Sequence, residues 1–147
     1  MITILQERRP HLQEQLVQKI AYFDYNFSRY HIHYTIAIAY ISEEEGNLNV
    51  LSKNLRKSDR LVMFQKNLCA VIFNSADETN GLKAANNLLT DVQALFFSKH
   101  LYMAVVTATN TKSSFQLVYD LFDLLQYAIG HNMNNLVLEA SQITKYD

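Results

Sequence analysis

The apolar positions change period several times along the chain, and each change marks an element. From Pro10 to about Tyr30, Leu12, Leu16, Ile20, Phe23, Phe27 and Tyr30 recur at steps of four and three. That spacing predicts a long amphipathic helix, with Pro10 suited to its first turn. His33 to Ile41, HYTIAIAYI, is β-branched or aromatic at most positions, which predicts a central strand covered on both faces. Ser42 to Asn47, with three successive glutamates and Gly46, is polar and predicts a loop. Leu48, Leu51 and Leu55 make a short helix face. Two apolar runs, Arg60 to Phe64 and Leu68 to Phe73, flank the polar break Gln65-Lys66-Asn67 and predict a β-hairpin.

Beyond the hairpin, Leu82, Ala85, Leu89, Val92 and Phe96 define the buried stripe of a helix from Asp77 to about Lys99. Leu101 to Ala108 predicts a strand and Thr109 to Lys112 a turn. Ser113 or Ser114 is placed to cap a helix that turns Phe115, Val118, Phe122, Leu125 and Ile129 inward. Gly130 to Asn135 is a polar stop, and Leu136 to Leu138 can add a last strand. The order α-β-α-β-β-α-β-α-β predicts an α+β fold, an antiparallel-rich sheet with helices on its faces.

Composition narrows the function classes. The 147 residues are one domain's worth of chain, expected to fold as a single unit over 1–147. A net charge of -1 gives no basis for a nucleic-acid groove or a polybasic membrane surface. The single cysteine, Cys69, lies inside an apolar strand and reads as a buried thiol in a reducing compartment. No apolar run approaches the roughly 18 to 20 residues that cross a bilayer, and no signal-peptide pattern is present, so a soluble cytoplasmic domain is expected. Three glycines and one proline argue against disorder.

The hairpin has a further pattern. Arg56-x-x-Asp59 is followed by five residues, then by Gln65-Lys66-Asn67-Leu68-Cys69, with Ala70 to Phe73 continuing as a strand. This order resembles the GGDEF domain of nucleotide-second-messenger cyclases, where Arg-x-x-Asp and five residues precede Gly-Gly-Asp-Glu-Phe. Ile2 to Arg9 resembles the family's N-terminal motif Leu-Thr-Gly-Leu-x-Asn-Arg-Arg, with Thr3, Leu5, Arg8 and Arg9 in common. Phe122 to Val137 is similar to Ala-Asp-x-Ala-Leu-Tyr-x-Ala-Lys-x-x-Gly-Arg-Asn-x-Val, sharing Asp123, Tyr127, Asn135 and Val137. The resemblance covers nearly the whole chain and implies a ferredoxin-like palm with a mostly antiparallel sheet.

It also implies that the chemistry has been lost. Such a cyclase holds a GTP triphosphate on divalent cations, which require carboxylate oxygens. The family's first-strand Asp falls here at Tyr40 or Ser42, and the acidic turn positions hold Asn67 and Leu68. Gln65 and Lys66 replace the glycines that let the backbone approach phosphate, and Gly130 and Asn134 replace a Lys and an Arg assigned to phosphate. The guanine-recognising segment before Arg56 is shortened. A catalytically inactive domain is expected, with no cofactor and no metal. Glu43, Glu44 and Glu45 read as a solvated run. His11, His31, His33, His100 and His131 lack zinc-ligand spacing, although His31 and His33 alternate like residues on one strand face.

In the family, the Arg-x-x-Asp pair resembles the inhibitory site for cyclic di-GMP. A guanidinium can donate to guanine O6 and N7, and a carboxylate can accept from N1-H and N2-H₂. The resemblance therefore makes Arg56 and Asp59 a candidate receptor site, with Lys57 and Arg60 near enough to add phosphate contacts. A folding role competes with this, since Arg near a helix C-terminus and Asp at a strand start are both locally favourable. The alternative function is a nucleotide-independent interaction or dimerisation module in bacterial signalling. Tyr22, Tyr25, Tyr30 and Tyr102 are candidates for an exposed patch on a homodimer or partner-protein surface, with core packing the safer reading for most. GTP binding without turnover is disfavoured by the missing glycines. The start at the N-terminal motif suggests one piece of a longer sensor.

Overall fold

The computed structural model describes residues 3–42, 46–96 and 100–142. Helix α1 (Thr3–Tyr30) leads into β1 (Tyr34–Ile41), a 3₁₀ helix (Leu48–Asn54), the hairpin β2 (Arg60–Gln65) and β3 (Leu68–Asn74), α2 (Glu78–Leu95), β4 (Leu101–Thr107), α3 (Ser114–Gly130) and the two-residue β5 (Val137–Leu138). The sheet order is β2-β3-β1-β4-β5. Strand β1 is antiparallel to both β3 and β4, β2 is antiparallel to β3, and only β5 runs parallel to its neighbour β4. This is the expected α+β palm.

All eight residues of β1 are buried because helices cover both faces of the sheet. Ile36, Ile38 and Tyr40, with Leu68, Ala70, Ile72 and Ala104, pack against α1 and α3. Ala37, Ala39 and Ile41, with Cys69, Val71, Phe73 and Met103, pack against α2 and the 3₁₀ helix. Alternation along a strand sends successive side chains to opposite layers, so a central strand carries no polar face.

Helix α1 begins earlier than its periodicity suggests, and Pro10 sits inside it. Proline removes one helical hydrogen bond, so the first turns need other support. Buried Leu5 and the anchoring of Arg9 on α3 supply it. The helix ends in an αL cap: His31 takes φ 58° and its N–H donates to the Phe27 carbonyl at 3.0 Å, with a longer bond of 3.4 Å from the Ile32 N–H to the Asn26 carbonyl. His31 is therefore a helix terminator, His33 lies in the connection, and neither is a strand residue. Tyr30, beyond the last buried turn, is exposed.

The caps of α2 and α3 follow their sequences. The Asp77 carboxylate accepts from the Asn80 N–H at 2.9 Å, and the Ser113 hydroxyl oxygen accepts from the Gln116 N–H at 3.1 Å. Phe115 corrects the expected α3 stripe, being 59% exposed. The buried stripe centres on Leu121, and at about 100° per residue Phe115 lies roughly a third of a turn away from it. The helix expected from Leu48 to Leu55 is a 3₁₀ segment that buries Leu48 and Leu51 and ends at Asn54. Glu43, Glu44 and Glu45, and the tail of the second helix at Lys99, lie outside the described residues.

Candidate functional site at the hairpin and its flanks

The hairpin turn is built against the end of β1. Tyr40 is opposite Leu68, the Ile41 N–H donates to the Asn67 carbonyl at 3.0 Å, and the Leu48 N–H donates to the Lys66 carbonyl at 2.7 Å. The shortened segment after β1 is thereby laid directly onto the turn. Tyr40, 8% exposed, stacks on buried Tyr102 with ring centres 6.1 Å apart. Tyr102 thus belongs to the core and not to a surface patch. Burial, and secondarily the neighbouring Tyr102, pushes the Tyr40 phenol above its ordinary range. Gln65 and Lys66 are exposed, while Leu68 and Cys69 are buried. Burial pushes the Cys69 thiol up to about 12, which leaves it protonated and inert near neutral pH.

Arg56 and Asp59 do come together, in a closed arrangement. Arg56 donates from Nη2 to Asp59 Oδ1 at 2.9 Å, and from Nε and its backbone N–H to Oδ2 at 3.1 and 3.2 Å. The Asn74 N–H donates to Asp59 Oδ1 at 3.1 Å, and Arg56 Nη2 also reaches the Asn74 carbonyl at 2.6 Å. The pair ties the loop before β2 to the end of β3. The Asp59 side chain is 3% exposed and the Arg56 side chain 60%. Hydrogen bonding to Asp59 holds the guanidinium still further above its ordinary range. Lys57 is exposed on the same loop, and Arg60 is exposed at the start of β2. The carboxylate is committed to the fold, and the cations face solvent.

The two terminal motifs meet on the other side of the sheet. Arg9 donates from Nη2 to Asp123 Oδ1 at 2.8 Å and to the Tyr119 carbonyl at 3.1 Å, and from its other nitrogens to the side-chain oxygens of Gln13 and Gln126. Its guanidinium lies 4.8 Å from the Tyr119 ring centre and 5.9 Å from that of Phe122. Asn135 has φ 59°, a left-handed conformation that Asn tolerates better than most residues, and its N–H donates to the Leu101 carbonyl at 2.7 Å to start β5. Arg9, Asp123, Asn135 and Val137 are thus accounted for by packing and chain direction.

The histidines do not gather. His33 lies against the Phe27 ring at 5.5 Å, and His131 stacks on Tyr127 at 3.9 Å. Among the described residues no three His, Cys, Asp or Glu side chains are placed to hold a metal ion. Two features escaped the sequence reading. Buried Thr35 donates to the Ala76 carbonyl at 3.0 Å and lies 2.8 Å from the Thr107 hydroxyl. Gly81 of α2 rests directly on it, where an added Cβ would stand 2.0 Å from Thr35 Oγ1. A glycine in a helix interior was the available signal of that close approach.

No sequence-family model matches the chain, and no curated protein matches it. Solved structures do. The GGDEF domain of DgcB from Caulobacter crescentus, in complex with cyclic di-GMP, superposes with TM-score 0.69 at 8% identity, covering 87% of each chain. The fold is that of a GGDEF domain. A diguanylate cyclase from Thermotoga maritima has TM-score 0.64 at 9% identity, over 77% of this chain and 93% of that one. Diguanylate cyclase SiaD from Pseudomonas aeruginosa, in complex with its activator SiaC, has TM-score 0.66 at 10% identity over 87% of this chain and 58% of its own. Within the GGDEF fold, the Arg56 loop and the hairpin turn lie at opposite ends of the sheet. Asn74, which binds the Arg56 loop, pairs with Tyr34 at the start of β1, and Leu68 pairs with Tyr40 near its end.

Proposed function

We propose that the chain is a regulatory domain of GGDEF fold that does not turn over nucleotide and acts by contact with another macromolecule. The observation that carries this reading is the set of residues at the corner beneath the hairpin turn. There the sequence resemblance puts metal-holding carboxylates, and the chain has Tyr40, Ser42, Asn67 and Leu68. A stacked phenol, a hydroxyl, an amide and an apolar side chain do not make the donor set of a hard divalent cation. The Leu48 N–H bond to the Lys66 carbonyl further ties the 3₁₀ segment to the turn. Incubation with GTP and Mg²⁺, followed by chromatography, is expected to give no cyclic product, and turnover would overturn the reading.

A second reading replaces the macromolecule with a small ligand, cyclic di-GMP. It is supported by the exposed cations Arg56 and Lys57 on the loop before β2 and Arg60 at the start of that strand, and by the fold shared with a domain crystallised with that ligand. In this reading Asp59 holds Arg56 in place and does not itself take guanine, because its oxygens already accept four hydrogen bonds. Isothermal titration separates the two. Micromolar binding lost in Arg56→Ala supports the receptor reading, and absence of heat with the wild-type protein leaves the interaction module.

A further inference from the structure

The two edges of the sheet are treated differently. The β2 edge is blunted by exposed Arg60 and by a bulge between Met63 and Gln65, both devices that discourage strand addition. The β4 edge is covered by β5 only at Met103 and Ala104. Strand β5 stops there because the Glu139 N–H turns to the Gln142 side-chain oxygen at 2.8 Å. Val105, Val106 and Thr107 have no strand partner on that side among the described residues.

The ladder phase fixes which groups are left. The Ala108 N–H donates to the Tyr34 carbonyl at 3.0 Å, so the even-numbered residues of β4 hydrogen-bond to β1. Odd-numbered residues direct their N–H and C=O the other way, which puts those of Thr107 on the open edge. A groove of about 570 Å³ runs along this edge, within the roughly 300 to 1,000 Å³ of ligand-binding clefts. Its lining includes both Val105 and Val106, whose side chains lie on opposite faces of β4, so it wraps around the strand edge. Leu82 of α2 and Leu117 of α3 form apolar walls on the two faces.

The charges around the groove select its occupant. Asp77, Glu78 and Glu139 line it beside His33, and Lys112, the one lysine among its described lining residues, is paired with Asp120 at 2.6 Å. We propose that this groove accepts an extended, basic segment of a partner protein as an added strand beside Val105 to Thr107, continuing the line of β5. Backbone bonding to the Thr107 edge would supply register, alternate β-branched side chains would pack on the Leu117 wall on one face, and the lysine or arginine residues between them would meet Glu78 and Glu139 on the other. The proposal names a surface for the interaction reading above and rests on it only in taking the partner to be a protein.

The test is a titration of the ¹⁵N-labelled full chain with the peptide acetyl-Val-Lys-Val-Arg-Val-Lys-amide. The expected result is amide shifts at Val105, Val106, Thr107 and Thr109, with slowed hydrogen exchange at Thr107. The same peptide methylated at every backbone nitrogen keeps the charges but loses the donors, and should bind at least tenfold more weakly. So should the wild-type peptide on a Glu78→Lys/Glu139→Lys variant, checked for folding by circular dichroism. No shifts at millimolar peptide, equal binding of the methylated peptide, or shifts centred on Tyr22, Tyr25 and Tyr30 would overturn the proposal. Sedimentation of the peptide-silent protein then distinguishes the two failures. Self-association mapped elsewhere removes the groove and leaves the interaction reading.

Discussion

Asp59 accepts four hydrogen bonds while its side chain is almost wholly out of solvent. Removing a buried acceptor costs more than the bonds themselves, because the Asn74 N–H is left without its acceptor. Asp59→Ala is expected to lower stability by about 2 to 3 kcal/mol, read from urea denaturation. Arg56→Ala should cost less, because the Asn74 N–H still serves the carboxylate. The spacing of this pair was legible in the sequence, but its closure was not, because it depends on the Asn74 backbone arriving from the end of β3. Cys69 gives a pH dependence. Burial pushes the thiol up to about 12 from its ordinary 9.0, so the folded chain holds that proton more tightly than the unfolded one. The stability it contributes is fully present below pH 9 and is lost as pH rises from about 9 toward 12. The Tyr34 phenol is also raised, by burial and then by its bond to Asp24, and acts in the same direction. Urea midpoints should therefore fall as pH rises from about 9 toward 12, with a shallower fall in Cys69→Ala.

At the scale of elements, α2 and α1 are fixed by contacts of opposite character. Helix α2 is seated by an absence, the missing Cβ of Gly81 over Thr35. Alanine there gains about 1 kcal/mol of helix propensity, but its Cβ would meet Thr35 Cβ and Cγ2 at 2.6 Å. Strand β1 is central and has nowhere to move, so Gly81→Ala is expected to destabilise by about 2 to 4 kcal/mol in net. A stable Gly81→Ala protein in thermal denaturation would contradict this seating of α2. Helix α1 is held by Arg9, which combines an ion pair, hydrogen bonds and ring contacts on α3. Arg9→Ala should cost about 1 to 2 kcal/mol and Asp123→Ala less, since Asp123 is half exposed and supplies only one of those contacts. The element order was readable from hydrophobic period throughout. The start of α1 was not, because the periodicity begins only after Pro10 and the anchor of the earlier turns lies on another helix.

For the whole molecule, the strand ending at Ile41 was legible as central because apolar residues on both of its faces call for cover on both sides, and the order β2-β3-β1-β4-β5 around it comes from the structure. The open β4 edge was not visible in sequence. It arises because β5 ends after two residues, and a short apolar tract does not reveal where its pairing stops. Tyr22, Tyr25 and Tyr30 remain on the surface, as an interaction module would allow, and Tyr102 does not. No helix among the described residues is long and apolar enough to cross a membrane. The central proposal is that this domain of GGDEF fold does not carry out metal-assisted nucleotide condensation. Its most direct test is incubation of the purified chain at high concentration with GTP and Mg²⁺ or Mn²⁺, with products resolved by mass spectrometry. The account predicts unaltered GTP, and accumulation of cyclic di-GMP that survives repurification and disappears in a Tyr40 or Asn67 variant would contradict it.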